Sequence, residues 1–442
     1  MRRMHAKTAE NSLEHVPSCA LYCEHGPRIE ETAVRDAEDV WRQRWLLVVA
    51  GGVVMGAALG VRNVQGLFLL PVTLDRGWTR ETFGLALALQ NLLWGVAQPL
   101  TGMIADRFGS ARVIFAGAVL YALGLAVMAQ ASSVGAYTFG VGLLIGIALS
   151  GTAFGAVYGA LSRLFPADRR GWALGVAGTI GGLGQFWMVP LAQGMIGSIG
   201  WASAIGVLAV VMLASAPLAA CLRDRPANDV ARQHAGDTIR AAVKEALAHR
   251  GFWLLNLGFF ACGFQLAFIG VHLPAYLLDR GMSAREASMA LAIIALANTA
   301  GTFLCGYAGG FLRRKYLLSA IYFTRAAAMA LFIALPLTPV SLYAFAFAMG
   351  LTWLGTVPLT NGIVSQVFGV RYIATLFGFV FFGHQLGGFF GVWLGSVVFD
   401  ATHSYAWLWY GSICLGVLSG LLHLPIDDRR VVRIDAGVAQ PA

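Results

Sequence analysis

Charge is what this chain has least of. Asp, Glu, Lys and Arg make up 12% of its 442 residues, about half the share of an ordinary soluble domain, which excludes a molecule bathed mostly in water. The scarcity is deepest for acids. No Asp or Glu falls well inside a long apolar run, so a buried carboxylate relay is excluded and Arg62, which does fall inside one, has no acid at its own depth. There is no glycine-rich phosphate loop of the Walker kind, which argues against ATP as an energy source. Neither HExxH nor GxSxG occurs, which argues against an intramembrane hydrolase. No apolar segment of signal-peptide type precedes Trp45. Cysteines number six. Cys221, Cys262, Cys305 and Cys414 sit in or at the ends of apolar runs, where they pack as small apolar groups rather than as disulfides. Cys19 and Cys23 lie near His15 and His25, but at a spacing that matches no zinc signature, so no metal or cofactor is expected.

What the chain does have is apolar length. Hydrophobic residues make up 58% of it, gathered into about twelve runs of about 20 residues or more, each long enough to cross the roughly 30 Å hydrocarbon core as a helix. The runs cover 45–70, 82–104, 112–130, 136–160, 171–197, 201–222, 251–277, 286–309, 316–335, 341–366, 373–399 and 405–424. The great majority of the 31 Lys and Arg fall on segments that share one side if the N-terminus is cytoplasmic. The expectation is a multi-pass protein of the cell (inner) membrane with both termini in the cytoplasm. The net charge of +9 is then mostly topological, and the partner it implies is the lipid bilayer rather than nucleic acid.

The chain also repeats itself. "LDRGWTRE" from Leu74 is echoed by "LDRGMSARE" from Leu278, and at the same offset Gly102 is matched by Gly306 and Gly151-Thr152 by Gly355-Thr356. "GALSRLF" from Gly159 has its counterpart in "GIVSQVF" from Gly362, one position off that offset. Two halves of six helices follow, in the same orientation and related by an axis along the membrane normal. The expected organisation is a cytoplasmic tail over 1–44, a six-helix bundle over 45–222, a charged cytoplasmic linker over 223–250, a second bundle over 251–424 and a tail over 425–442. Two such bundles can rock about a site at their interface, exposing it to each side of the membrane in turn.

Between helices 2 and 3 stands "GMIADRFGSARV", in which Gly102, Asp106, Arg107, Gly109 and Arg112 resemble the loop signature of the major facilitator superfamily. The second-half equivalent, "GYAGGFLRRKYL", has Gly310 at the acid position. The resemblance implies an all-α membrane fold of twelve helices in two pseudo-symmetric bundles. It also implies that Asp106 meets the N-terminus of helix 11 near Tyr372 to Thr375 and holds the bundles together while the site faces outward. Within the superfamily the chain is similar to monocarboxylate transporters and the oxalate/formate antiporters. "RNVQGLF" places Arg62 ahead of Phe68 much as that branch places a helix-1 lysine, and "SRLFPADRRGWALG" also looks like it. The helix-8 aspartate and arginine of the animal transporters align instead with Asn298 and Thr302, which puts their coupling mechanism in doubt here.

Arg62 lies about nine residues, or roughly 14 Å, from a helix end at Pro71, near the bilayer centre, where a guanidinium costs on the order of 2.5–3.5 kcal/mol. Its fork of donors suits a carboxylate; the plainer reading is pairing with carbonyls or a distant acid. Gln265 and His272 are seven residues apart, on similar faces of helix 7, and resemblance to the superfamily assigns those faces to the central cavity. His384 and Gln385 stand mid-way along helix 11 in "FFGHQLGGFFG", with Gln185 at the matching point of helix 5. His384 resembles in position the substrate-binding lysine of oxalate/formate antiporters, and as histidine it titrates between about pH 5 and 8. Gln90, Asn91 and Gln98 stripe helix 2, and Asn361 is a further candidate on helix 10. Interhelical hydrogen bonding explains any one of these polar groups equally simply. Arg325 fits either a structural brace or a substrate contact. Trp94, Trp187 and Trp353 are candidates for an apolar wall or for packing.

The expected function is secondary active transport of a small organic anion, a monocarboxylate above all, by rocking alternating access. Proton coupling through His272 or His384, coupling through the anion itself, and exchange without protons are all compatible. The alternatives are an efflux pump for amphipathic drugs, with Arg62 as structure, and a transporter-like sensor that binds without turnover. The sequence is silent on oligomeric state.

Overall fold

A computed structural model describes residues 26–165, 167–224, 239–369 and 373–429. The side chains of 26–43, Asp106, Arg107, Ser162, 167–168, 170–171, 239 and 373–374 lie outside the description. The His15–His25 cluster and Tyr372 also lie outside the described residues.

Eleven described helices are long and apolar enough to cross a membrane. They are α1 (Arg44–Arg76), α3 (Ser110–Gln130), α4 (Val134–Leu161), α5 (Trp172–Ile199), α6 (Trp201–Leu222), α7 (Arg250–Asp279), α8 (Ala284–Ala308), α9 (Arg314–Ala334), α10 (Pro339–Phe368), α11 (Thr375–Thr402) and α12 (Ala406–His423). Between α1 and α3 lies α2, a 29-residue helix over Arg80–Phe108. It spans the same thickness at about 1.5 Å per residue but is diluted by the polar stripe Gln90, Asn91 and Gln98. The fold is therefore the all-α membrane architecture that the apolar runs imply. Within α1 the helix tightens into a 3-10 turn over Gln65–Phe68 and resumes over Leu69–Arg76. Pro71 thus sits in the first turn of the resumed segment, where its missing N–H costs nothing, and α1 does not end there as its sequence suggests.

The duplicated phrase is a helix stop followed by a helix start. Gly77 and Gly281 take φ of 67° and 83°, which glycine alone adopts freely. Thr79 then accepts from the Thr82 N–H at the start of α2, and Ser283 from the Glu286 N–H at the start of α8, N-caps worth about 1 kcal/mol each. The repeat reaches further than the apolar runs. Asp224 accepts from the Ser110 N–H (2.6 Å) and from Arg163 Nε (2.6 Å), tying the end of α6 to α3 and α4. In the second half Asp428 accepts from Arg313 Nη2 (2.6 Å), and its carbonyl accepts from Gln366 Nε2 (2.8 Å). The Arg313 guanidinium holds the Asp428 carboxyl below the usual carboxylate range.

α4 and α10 are both interrupted. In α4 the helix breaks at Ala153, and in α10 between Thr352 and Thr356. Breaks in a span leave backbone groups with no water to bond, so neighbouring side chains must supply partners. Gln98 Nε2 donates to the Ser150 carbonyl (3.3 Å). In α10, Arg325 Nη2 donates to the carbonyls of Thr352 and of Trp353 (2.7 Å for the latter), and Asn298 Oδ1 accepts from the Leu354 N–H (3.0 Å). A cation at the carbonyl end of a helix segment is also favoured by its dipole.

Candidate functional site

Three helix pairs join the first six helices to the last six: α2 with α11, α5 with α8, and α1 with α7. Glycine permits the closeness. A Cβ on Gly95 would stand 2.8 Å from Gln385 Cβ, and one on Gly84 would overlap the Ser396 side chain. One on Gly66 would strike the Gly270 carbonyl. Towards the end marked by Asp224 the pairs part. Two turns beyond Gly95 and Gln385 on the same faces, Gly102 and Gly378 have nothing within 4 Å. In the other pair Gly182 abuts Thr299, yet Gly175, two turns away, again has nothing within 4 Å and Gly306 has only Pro358 at 4.0 Å. The halves thus meet at the Arg80 end and diverge at the Asp224 end.

Between the Gly84–Ser396 and Gly95–Gln385 approaches of α2 to α11, and at the second of them, lie buried polar groups. Arg62 stands mid-way along α1, roughly 27 Å and 21 Å from its two ends at 1.5 Å per residue. Its Nη2 donates to Asn91 Oδ1 (2.6 Å). Asn91 lies against Gly388 of α11, one turn from Gln385, and His384 Nδ1 lies 3.0 Å from Gln385 Oε1. Each amide oxygen is thereby occupied within the protein, while Asn91 Nδ2, Gln385 Nε2, Arg62 Nε and His384 Nε2 are buried without partners. Three of these four orphans can only donate. Arg62 forms no ion pair among the described residues. Among these four residues Arg62, Asn91 and Gln385 offer free donors only, and a small anion supplies acceptors for them. One wall is aromatic: Phe381 lies 5.4 Å from Trp94, edge on, and stacks on His384 at 5.7 Å.

The other polar residues are engaged elsewhere. Gln90 Nε2 donates to the Val141 carbonyl of α4 (3.2 Å). Gln265 turns from α1 towards α12, donating to the Ser412 carbonyl (2.9 Å), and receives Arg325 at 3.5 Å. His272 is fully buried, with Nε2 2.9 Å from the Val392 carbonyl and Nδ1 3.3 Å from the Tyr405 hydroxyl. Arg325 is fully buried on the break in α10. Gln185 is buried, whereas Asn361 and Arg112 are exposed. Gly109 takes φ of 91° in the turn between α2 and α3. Trp353 is 8% exposed and Trp187 66%. Asn63 Nδ2 and both amide atoms of Gln65 are further buried orphans that the sequence reading passed over; the signal was their place beside Arg62 in "RNVQ".

Comparison with known proteins agrees with this architecture. The family model described as Major Facilitator Superfamily matches residues 50–392. An uncharacterized MFS-type transporter of Bacillus subtilis (strain 168), YcxA, is 26% identical over 408 residues, covering 88% of this chain and 97% of the relative. Monocarboxylate transporter 11 of Homo sapiens is 27% identical over 84% of this chain and 80% of its own length. The oxalate:formate antiporter of Oxalobacter formigenes is 25% identical over 80% and 85%.

Proposed function

Because this chain belongs to the major facilitator superfamily, and so is a transporter and not an enzyme, we propose that its cargo is a small organic anion, a monocarboxylate above all. The anion is held between Arg62 and Asn91 of the first half and His384 and Gln385 of the second. The observation that carries this reading is the set of buried, unpartnered donors on both sides of one helix crossing. The names of the human and Oxalobacter relatives lend it support. A guanidinium at this depth costs on the order of 2.5–3.5 kcal/mol, and an anion that accepts from it offsets part of that cost. Binding therefore favours whichever conformation brings both sets of donors to the same solute.

With the basic segments on the cytoplasmic side, the Asp224 end is cytoplasmic and the open cleft faces inward. Alternation closes α2 on α11 over Gly102 and Gly378, and α5 on α8 over Gly175 and Gly306. Asp106 then engages the N-terminus of α11. His384, with Nδ1 on Gln385, is the group through which a proton accompanies the anion.

The test is uptake of labelled carboxylates into proteoliposomes, with and without a pH gradient, by wild type and Arg62→Gln. Saturable uptake by the wild type alone supports the assignment. Equal accumulation by both removes Arg62 from the site.

A further inference from the structure

Where the two halves meet, one cation from the first half is enclosed by the second. Arg80, the first residue of α2, donates from Nη1 and Nη2 to the two carboxylate oxygens of Asp279 at the end of α7, both at 2.7 Å. Nη1 also donates to the Tyr405 hydroxyl (2.9 Å), and the guanidinium lies 3.7 Å from the centre of the Phe399 ring. The next residue joins in: the Glu81 N–H donates to Asp400 Oδ2 at 2.6 Å, so an acid of α11 sits on the N-terminus of α2, where the helix dipole favours it. The Arg80 side chain retains only 11% of its exposure, and a two-pronged arginine–carboxylate contact fixes geometry as well as charge.

The repeat shows that this contact is particular to one half. Thr79 and Ser283 are equivalent caps, but the residue after the first is Arg80 and after the second Ala284. The acid equivalent to Asp279 is Asp75, which is 57% exposed and, among the described residues, pairs with its neighbour Arg76 at 3.8 Å. The base of the first copy and the acid of the second are thus used against each other, and their counterparts are not.

We propose that Arg80, received by Asp279, Tyr405, Phe399 and Asp400, is the latch of the outer gate. It holds the halves together at this end and sets how often the pathway opens there. His272 is a positioning residue for it. With Nε2–H given to the Val392 carbonyl, Nδ1 accepts from the Tyr405 hydroxyl, leaving the Tyr405 oxygen turned to receive Arg80. The proposal rests on the alternating-access reading above and is independent of which anion is carried.

The experiment therefore needs no cargo. In a background with the native cysteines replaced, spin labels at Leu74→Cys and Val340→Cys report the outer end, and labels at Met103→Cys and Phe311→Cys the inner end; all four parent residues are exposed. Distances are measured in lipid nanodiscs. Loss of hydrogen bonds to a charged group predicts that Arg80→Gln raises the ratio of outer-open to outer-closed molecules about tenfold or more. The inner pair should shorten in the same proportion. Arg80→Lys, which keeps the charge and loses the fork, should fall between, and His272→Phe should shift the outer pair in the same direction by less. Asp279→Asn serves in place of Arg80→Gln if that variant does not fold. Distributions that superimpose on the wild type overturn the latch, as does an outer pair that broadens while the inner pair is unmoved. Either result leaves the anion site to its own uptake assay.

Discussion

The two arginines within the spans should respond oppositely to the same substitution. Arg325 is bonded to the carbonyls of Thr352 and Trp353, to Cys262 Sγ at 3.2 Å and, at 3.5 Å, to Gln265. Replacing it by Met keeps the apolar stem but strands two backbone carbonyls, at about 1–3 kcal/mol each. Removal of the desolvated charge returns part of that, so a net loss of about 2–4 kcal/mol is expected. Among the described residues Arg62 has one hydrogen-bond partner, Asn91. Arg62→Met forfeits one charged hydrogen bond, about 1.5–3 kcal/mol, and relieves a burial cost of on the order of 2.5–3.5 kcal/mol; the two nearly cancel. Arg62→Met should therefore unfold within a few degrees of wild type yet fail to accumulate any anion, while Arg325→Met should unfold well below it. Thermal unfolding in detergent, followed by fluorescence of the 12 tryptophans, separates the cases. Equal losses of stability in the two variants would refute the division of labour.

Three further outcomes are expected. Gly95→Leu should abolish uptake while the protein still reaches the membrane, because a side chain there displaces Gln385 across the α2–α11 contact; retained uptake would show that this closeness is dispensable. Cysteines at Gly102 and Gly378 should cross-link more readily when Arg80→Gln favours inner closure, and cross-linking that ignores that substitution would contradict the closing motion. The Arg313–Asp428 tie has a pH signature: a carboxyl depressed in the folded state contributes above its unfolded pKa and loses that contribution as pH falls through the folded value. The difference in unfolding temperature between wild type and Asp428→Asn should thus persist at pH 7 and 5 and shrink only in stronger acid. A difference that rises on acidification would reverse the assignment.

The long elements were legible because lipid imposes one rule: each crossing needs about 20 apolar residues. The repeated caps at Thr79 and Ser283 were visible as a phrase for the same reason that turn chemistry is local. The errors lie where a polar residue answers a backbone that sequence does not advertise. Pro358 and the duplicated Gly355-Thr356 stand beside the break in α10, but neither says that Arg325 and Asn298 would supply its partners. For Gln265, resemblance to the superfamily pointed to the central cavity and interhelical bonding was equally open; helix rotation decides between them, and its amide faces α12. Asp224 and Asp428 went unread because they stand beyond the apolar runs, in segments taken as linker and tail. Arg80 drew no attention because an exposed-looking loop cation is ordinary until the chain places Asp279 and Tyr405 around it.

The central claim is that an anion completes the donors of Arg62, Asn91, His384 and Gln385. A structure of the protein with a transported carboxylate tests it most directly. The account predicts carboxylate oxygens within hydrogen-bond distance of Arg62 Nε and Asn91 Nδ2, with Gln385 or His384 reaching the same molecule from the other half. Cargo seated elsewhere, with those donors still unpartnered, would contradict it.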